Sequence, residues 1–338
     1  MSGNGGNASP PYKDVGFVNT REMFKKAYDG GYAVAAFNFV TLEQMLAIVS
    51  ACMDSKAPFI LQASANVRNM IGPVMVQHMA KGCIEMMKQA GKRVPACLHL
   101  DHGKTYEECV SAVNEGFSSV MTDGSALPYE QNVELTARVV DYAHKYDVTV
   151  EGELGVLSGV EEDVEQEVSR YTDPAQVEDF VNRTEVDSLA ISIGNSHGVV
   201  KFKVQPGQPV PPLRFDILAE VARRLPGFPI VLHGASSIPT RYVDLINTYG
   251  GQIEEAQGIP EDQVVQVARS AVCKINIASD GWIAMTAAVR RALAENPATI
   301  DPRKYLLPAR EEMKRVYMHK NEVFGSAGRV QEGVGNRE

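Results

Sequence analysis

The chain has 338 residues and a net charge of −9, with 44% hydrophobic and 22% charged residues, an ordinary globular composition. The acidic balance excludes the basic footprint of a nucleic-acid binder, and no run of about 18 apolar residues exists to span a membrane. The length suits two average domains or one large α/β barrel of roughly 250 residues with additions.

Residues 1–12 are small, polar and rich in Gly and Asn, lack the apolar stretch of a secretory signal, and read as a disordered arm. An apolar run at 32–39 (YAVAAFNF) precedes a helical pattern over 42–55. Runs at 58–64 (PFILQAS) and 95–102 (PACLHLDH) flank a helical pattern over 74–90. Runs at 118–123 and 148–155 flank a helix over 132–146. Residues 157–172 (LSGVEEDVEQEVSRYT) are acidic and poor in apolar side chains, which predicts a mobile loop. A helix over 174–183 leads to the run 188–194, a proline-rich connection at 205–212, the run 228–234, an insertion at 250–260, and the run 271–279. Helices over 283–294 and 302–323 follow, then a flexible tail from 326 to 338.

Eight near-continuous apolar runs separated by helices imply a parallel sheet buried on both faces. Eight strands imply closure into a (β/α)8 TIM barrel, with a long loop after the fifth strand and extra C-terminal helices. It forms a single domain over residues 13–325. An open doubly wound sheet is the alternative. The five cysteines (Cys52, Cys83, Cys97, Cys109, Cys273) have no CxxC spacing, which suits thiols in a reducing cytoplasm and leaves metal binding to His, Asp or Glu.

Barrel chemistry gathers at the C-terminal ends of strands. His102, His197 and His233 fall there, each followed by Gly, and three histidines with an open fourth position make a catalytic zinc site. Asp101 adjoins one of them and is placed for proton transfer. Asp123 and Glu153 fit either a second metal position or a supporting role. His99 precedes its strand end by three residues and reads as orienting a neighbour. His78, His144 and His319 lie in helical patterns and read as structural. The segments 195–198, 234–237 and 276–279 follow the last three strands, the usual place of a barrel phosphate site, and Lys201 is four residues past His197. Walker A, GxGxxG and GxSxG signatures are absent.

The segments LHLDHG (98–103), VEGELGVLSGVEED (150–163), ISIGNSHG (191–198), VLHGASS (231–237) and KINIASD (274–280) resemble the class II, metal-dependent fructose-bisphosphate aldolases. The insertions resemble the B branch, related to tagatose-bisphosphate aldolases, and the resemblance covers residues 13 to about 325. It implies zinc on His102, His197 and His233, with Asp123 and Glu153 at a second divalent position. Asp101 would act on the C4 hydroxyl and Glu161 on the C3 proton. Gly198, Lys201, Gly234, Ala235, Ser236, Asn276, Ile277, Ala278 and Ser279 would line the substrate pocket. Several of these match the cradle for dihydroxyacetone phosphate and a monovalent cation (Na+ or K+), and Ser64 lines the aldehyde side. A homodimer or homotetramer is implied.

Breaking C3–C4 leaves a carbanion that zinc can stabilise as a Lewis acid. The rival is a lysine Schiff base, and the sixth run carries no lysine while Lys274 sits at the buried start of the eighth. The sequence departs from the family at the aldehyde end: Ala278 stands for an aspartate, Trp282 for an arginine and Ala126 for a histidine. These departures predict slow cleavage of fructose 1,6-bisphosphate and better turnover of tagatose bisphosphate or another ketose 1-phosphate. Arg68 and Arg303 are the basic groups that would otherwise replace the arginine. A non-catalytic barrel that stabilises a partner aldolase is opposed by the intact histidine triad, Asp101 and Glu161.

Overall fold

Every one of the eight apolar runs forms a strand, and the eight close on each other. The structure, a computed structural model, describes residues 11–157, 159–161, 164–166, 170–198, 210–253 and 256–330. The barrel strands are β1 (Val34–Asn38), β2 (Phe59–Ser64), β3 (Ala96–Gly103), β4 (Ser119–Thr122) and β5 (Thr149–Leu154). After a hairpin of β6 (Gly159–Glu161) and β7 (Val164–Gln166) come β8 (Ser188–Ile191), β9 (Ile230–Leu232) and β10 (Val272–Ile277). Neighbours are parallel in the order β1-β10-β9-β8-β5-β4-β3-β2, a closed barrel.

Alternation along each strand sends one set of side chains outward to the helices and the other into the barrel. The outward set, such as Phe37, Leu61, Leu98, Val150 and Ile275, joins the main core with the helix faces. The inward set is apolar at the lower end, where Val34, Ala36, Ile60 and Cys97 meet Met23, Phe24 and Ala27 of the helix Arg21–Gly30, and in a small patch of Met121, Ala190 and Val231. Higher up it turns polar. Gln62 registers with His99, Ser64 with Asp101, His99 with Ser119, and Ala36 with Asn276, so the pairing of strands stacks buried polar groups toward the mouth.

Three boundaries differ from the sequence reading. Tyr12 is buried and its hydroxyl donates to the Asp147 carbonyl at 2.9 Å, so the chain is tied down from the helix Pro11–Val15 onward rather than from residue 13. At the other end, Ser326 is buried, and the N–H groups of Gly328 and Val330 donate to the carbonyls of Ser55 and Lys56. Packing therefore continues past residue 325. The segment 157–172 is not structureless: Gly159 pairs with Gln166, Val160 with Glu165 and Glu161 with Val164, and a bridge joins Val156 to Arg170. Its high charge hides a short strand alternation in which valines recur between glutamates. The termini 1–10 and 331–338 lie outside the described residues.

Gly152 shows how tightly the outer layer is fitted. It sits between the inward Glu151 and Glu153, and a Cβ there would lie 2.8 Å from Phe180 Cε1 and 3.2 Å from Val186 Cγ1. Overpacking of this kind costs typically about 1–3 kcal/mol. Gly152→Ala is expected to lower the unfolding free energy by that amount, read as a lower urea midpoint, and a midpoint equal to wild type would show that the helix Val177–Thr184 yields without penalty.

Candidate active site

At the mouth, β3 ends in a kinked turn. His102 has φ 48°, a left-handed conformation uncommon outside glycine that is found at functional sites. The next residue must be small, because a Cβ on Gly103 would lie 2.7 Å from both Cys109 Sγ and the Met121 carbonyl. The turn brings His102 against His197, from the segment after β8, and His233, just past β9. Ring centroids stand 5.2 Å apart for His102–His197 and 4.7 Å for His102–His233. One ring nitrogen from each lies within 4.8 Å of the other two, and all three residues are buried.

The hydrogen bonds decide which nitrogens carry protons. His233 Nε2 lies 2.7 Å from Glu151 Oε1 and so donates, which leaves Nδ1 bare. His102 Nδ1 lies 2.9 Å from Asp123 Oδ2 and donates, which leaves its Nε2 bare. These two nitrogens face each other at 3.1 Å, and Asn276 Nδ2 stands 3.0 Å from His233 Nδ1; burial opposes charge on His102, but Asp101, Asp123 and Glu153 outweigh it and raise its pKa to about 10. Two lone pairs at that separation require a cation or a proton between them. The donor set therefore fits a divalent metal of the imidazole-binding kind.

Beneath the histidines lies a fully buried chain of charges. Lys274 Nζ donates to Glu151 Oε2 at 2.8 Å and to His99 Nε2 at 3.2 Å, and His99 Nδ1 then donates to Ser119 Oγ at 2.8 Å. Burial and the neighbouring Lys274 cation push the His99 imidazole down to about 3, so it is neutral at physiological pH. Burial alone would raise Glu151, but the Lys274 charge and the His233 bond outweigh it and bring it down to about 2. Burial likewise opposes ionisation of Asp101, yet the positive charge of the His102–His233 pair, which shares a proton when no metal is bound, the Lys274 charge and the Asn38 bond hold its carboxyl well below the usual range. Asn38 Nδ2 donates to Asp101 Oδ2 at 2.9 Å and Asn276 Nδ2 to Asp101 Oδ1 at 3.2 Å. Burial, then the charge of Asp123, raises Glu153 well above the usual carboxylate value. Its Oε2 stands 3.8 Å from His102 Nδ1.

The sequence candidates distribute unevenly around this centre. Asp101, Asp123, Glu153 and the three histidines converge, and Asp123 serves as the hydrogen-bond partner of His102. Ser64 ends β2 beside Asp101 and caps the helix Ala65–Ile71. Gly234 has φ 58°, and a Cβ there would lie 2.5 Å from the Ser196 carbonyl. Ser236, Ala278 and Ser279 are buried at strand ends, and Gly198 has φ 86°. Ala235 and Ile277 turn their side chains into the main hydrophobic core, so only their main chain can serve a ligand. Glu161 is placed in β6 by its backbone alone, and Lys201 lies outside the described residues. Arg68 is no substitute for a missing arginine: it is buried and paired with Glu115 at 2.6 Å. Arg303 pairs with Asp301 at 2.8 Å on the surface. His78 lies in the helix Pro73–Gln89, while His144 and His319 pair with Asp187 and Glu261.

Sequence reasoning missed Asn38, Gln62 and the Glu151–Lys274 pair, and read Asn195 only as part of the phosphate-site segment 195–198. Asn195 Nδ2 donates to the His233 carbonyl at 2.9 Å and fixes that strand end. The available signal was parity: Asn38, Gln62, His99 and Lys274 are polar interruptions at inward positions of otherwise apolar runs.

A sequence model of the family described as fructose-bisphosphate aldolase class-II matches residues 18–329. A Treponema pallidum protein named fructose-bisphosphate aldolase is 55% identical, over 94% of this chain and 99% of that protein. A Giardia intestinalis protein of the same name is 40% identical, over 91% and 93%. Among solved structures, the YdjI aldolase from Escherichia coli K12 superposes with a TM-score of 0.70 at 28% identity, covering 93% of this chain and all of that one. The chain belongs to the class II fructose-bisphosphate aldolase family and is an aldolase, a carbon–carbon lyase.

Removing one member of a buried ion pair strands the other at a cost of roughly 3–5 kcal/mol, whereas replacing both is often neutral. Glu151→Gln is therefore expected to destabilise the fold by about that much, and adding Lys274→Met should restore most of it. Chemical denaturation of the two single variants and the double variant checks this. Because Glu151 is depressed in the folded state, its contribution is complete above about pH 4.5 and declines as pH falls toward 2. An additive double variant would show the two charges to be energetically independent.

Proposed function

We propose that the enzyme reversibly cleaves fructose 1,6-bisphosphate to dihydroxyacetone phosphate and an aldehyde, using zinc held by His102, His197 and His233. The observation that carries this is the convergence of three imidazoles, two with bare nitrogens 3.1 Å apart, beside an ionised Asp101. Zinc bound there supplies Lewis acidity for the negative charge that develops as C3–C4 breaks. Asp101, held by Asn38 and Asn276, takes the proton of the C4 hydroxyl in cleavage and returns it in condensation. Glu161 moves the C3 proton. Asp123 and Glu153 offer a second divalent position, which would depress the raised Glu153 carboxyl. Gly198, Lys201, Gly234, Ser236, Asn276 and Ser279 hold the dihydroxyacetone phosphate end with a monovalent cation, and Ser64 faces the aldehyde. The enzyme works in the cytoplasm as a homodimer or homotetramer.

A second reading, cleavage of tagatose bisphosphate or another ketose 1-phosphate, is favoured by Ala278. This residue is 2% exposed at the end of β10 and cannot accept a hydrogen bond from a sugar hydroxyl. Trp282, one turn on, cannot form a bidentate pair with phosphate. The names of the 55% and 40% identical relatives weigh for fructose 1,6-bisphosphate.

A panel of ketose phosphates on zinc-loaded protein, with a chelated control, separates these. Fructose 1,6-bisphosphate is expected to turn over and to lose turnover on chelation while the barrel stays folded. A kcat/KM at least tenfold higher for another ketose would move the assignment to that sugar, and full activity after exhaustive metal removal would end the metal reading. Restoring the aspartate and arginine together (Ala278→Asp with Trp282→Arg) should raise fructose-bisphosphate kcat/KM on the order of 10–10²-fold.

Asp101→Ala should lower kcat by roughly 10²–10⁴-fold, the range for loss of a positioned proton-transfer group. Zinc content measured on the same sample should stay at the wild-type level, since Asp101 bonds to amides rather than to the bare nitrogens. A kcat within threefold of wild type would remove Asp101 from the chemistry.

A further inference from the structure

Two buried charges outside the retro-aldol chemistry grip the segment that follows β9. Asp280 is 0% and Lys320 1% exposed. Asp280 lies in the first turn of the helix Ser279–Glu295, and its Oδ2 and Oδ1 accept the consecutive main-chain N–H groups of Ser237 and Ile238 at 3.1 and 2.8 Å. Lys320, from the helix Arg303–Val323, reaches the same point: its Nζ donates to Ser237 Oγ at 3.0 Å and stands 3.3 Å from Asp280 Oδ2 and 3.1 Å from Glu261 Oε1. Ile238 is held at φ 50°, so the two N–H groups converge as an anion nest that the chain fills with its own carboxylate. On the other side the Ile259 N–H donates to the Ser236 carbonyl at 3.1 Å, and Gly258 packs so closely that a Cβ would lie 2.2 Å from the Ser237 carbonyl carbon.

We propose that Asp280 and Lys320 are positioning residues for substrate phosphate, clamping 234–238 so that Ser236 and the Gly234 backbone face the dihydroxyacetone phosphate end. This rests on the reading of that segment as part of the phosphate cradle. Ser236 is 2% exposed and its main-chain carbonyl accepts the Ile259 N–H, so its position is fixed by its neighbours. The clamp needs both charges. Asp280 alone would point a buried negative charge at a segment that must receive a phosphate dianion, and Lys320 offsets it. Lys320 alone would leave Ser237 and Ile238 without an acceptor. Because Asp280 is two residues past Ala278, the same carboxylate ties the end of β10 to the end of β9, which joins the two halves of the pocket mechanically.

The test uses the zinc-loaded enzyme and dihydroxyacetone phosphate. Asp280→Asn keeps the shape and removes the charge. It should raise the Kd for dihydroxyacetone phosphate at least tenfold and speed amide hydrogen exchange at Ser237 and Ile238, with zinc content unchanged. Lys320→Met should weaken binding likewise, and Lys320→Arg should recover part of it. A purely structural role would lower thermal stability in these variants while the folded fraction bound the ligand as wild type does. Asp280→Asn affinity within twofold of wild type overturns the proposal. So does fast amide exchange at Ser237 and Ile238 in the ligand-free wild-type enzyme, a measurement that does not depend on any variant folding. A wild-type enzyme that fails to bind dihydroxyacetone phosphate overturns the cradle reading, and this inference with it.

Discussion

The structure depends on keeping charge inside a barrel that has no water to spare. Lys274, Glu151, His99, His233 and Asp101 are all buried, and the gross cost of removing such groups from solvent is recovered only by complete pairing. Lys274 bonds both His99 and Glu151, Glu151 bonds His233, and the chain ends where His233 faces His102, while Asp101 is held by the amides of Asn38, Gln62 and Asn276. Pairing fixes protonation as well as position. A carboxylate on one side of His102 and of His233 leaves the other ring nitrogen to act as an acceptor, which is what a metal ligand must present.

Much of this architecture was legible from the residues. The strands are continuous apolar runs of ordinary strand length, bounded by turn residues, and that pattern survives any tertiary context. The three histidines were legible because each stands at a strand end before a glycine. Asn38, Gln62 and Lys274 were not, since in a strand buried on both faces nothing local says which parity points inward. Only the register, with Gln62 beside His99 and Ala36 beside Asn276, assigns them to the barrel interior. The long loop after β5 was legible, but not the hairpin within it, for a related reason: a dense acidic run masked two three-residue strands. Tyr12 and Ser326 were assigned to floppy ends by composition, although long-range hydrogen bonds to Asp147 and Ser55, invisible to any local window, hold those segments.

On the proposed reading, the two ends of the pocket are built differently. Toward the phosphate end, loop geometry is over-determined: positive φ at Gly234 and Ile238, close approach at Gly258, and the ion pair behind Ser237. Toward the aldehyde end, the groups that depart from the family, Ala126, Ala278 and Trp282, include an exposed alanine and an indole Nε1 with no hydrogen-bond partner. On that reading, the common fragment would be held by rigid groups, while choice of the second would rest on Ala126, Ala278 and Trp282. Such a division lets a family keep one half-reaction while its members diverge in the other.

The apolar floor of the barrel has a consequence for proton traffic. Met23, Phe24 and Ala27 stop the lower end against Val34, Ile60 and Cys97, and Asp101 above them touches the amides of Asn38 and Asn276. Amides donate and accept but do not pass a proton on at neutral pH. Among the described residues, the side chains bonded to Asp101 are the amides of Asn38, Gln62 and Asn276, so on the proposed mechanism a proton taken up by Asp101 would leave through the mouth. With that role for Asp101, the catalytic proton is inventory carried between the two halves of one turnover, and exchange with solvent is confined to intervals when the mouth is open.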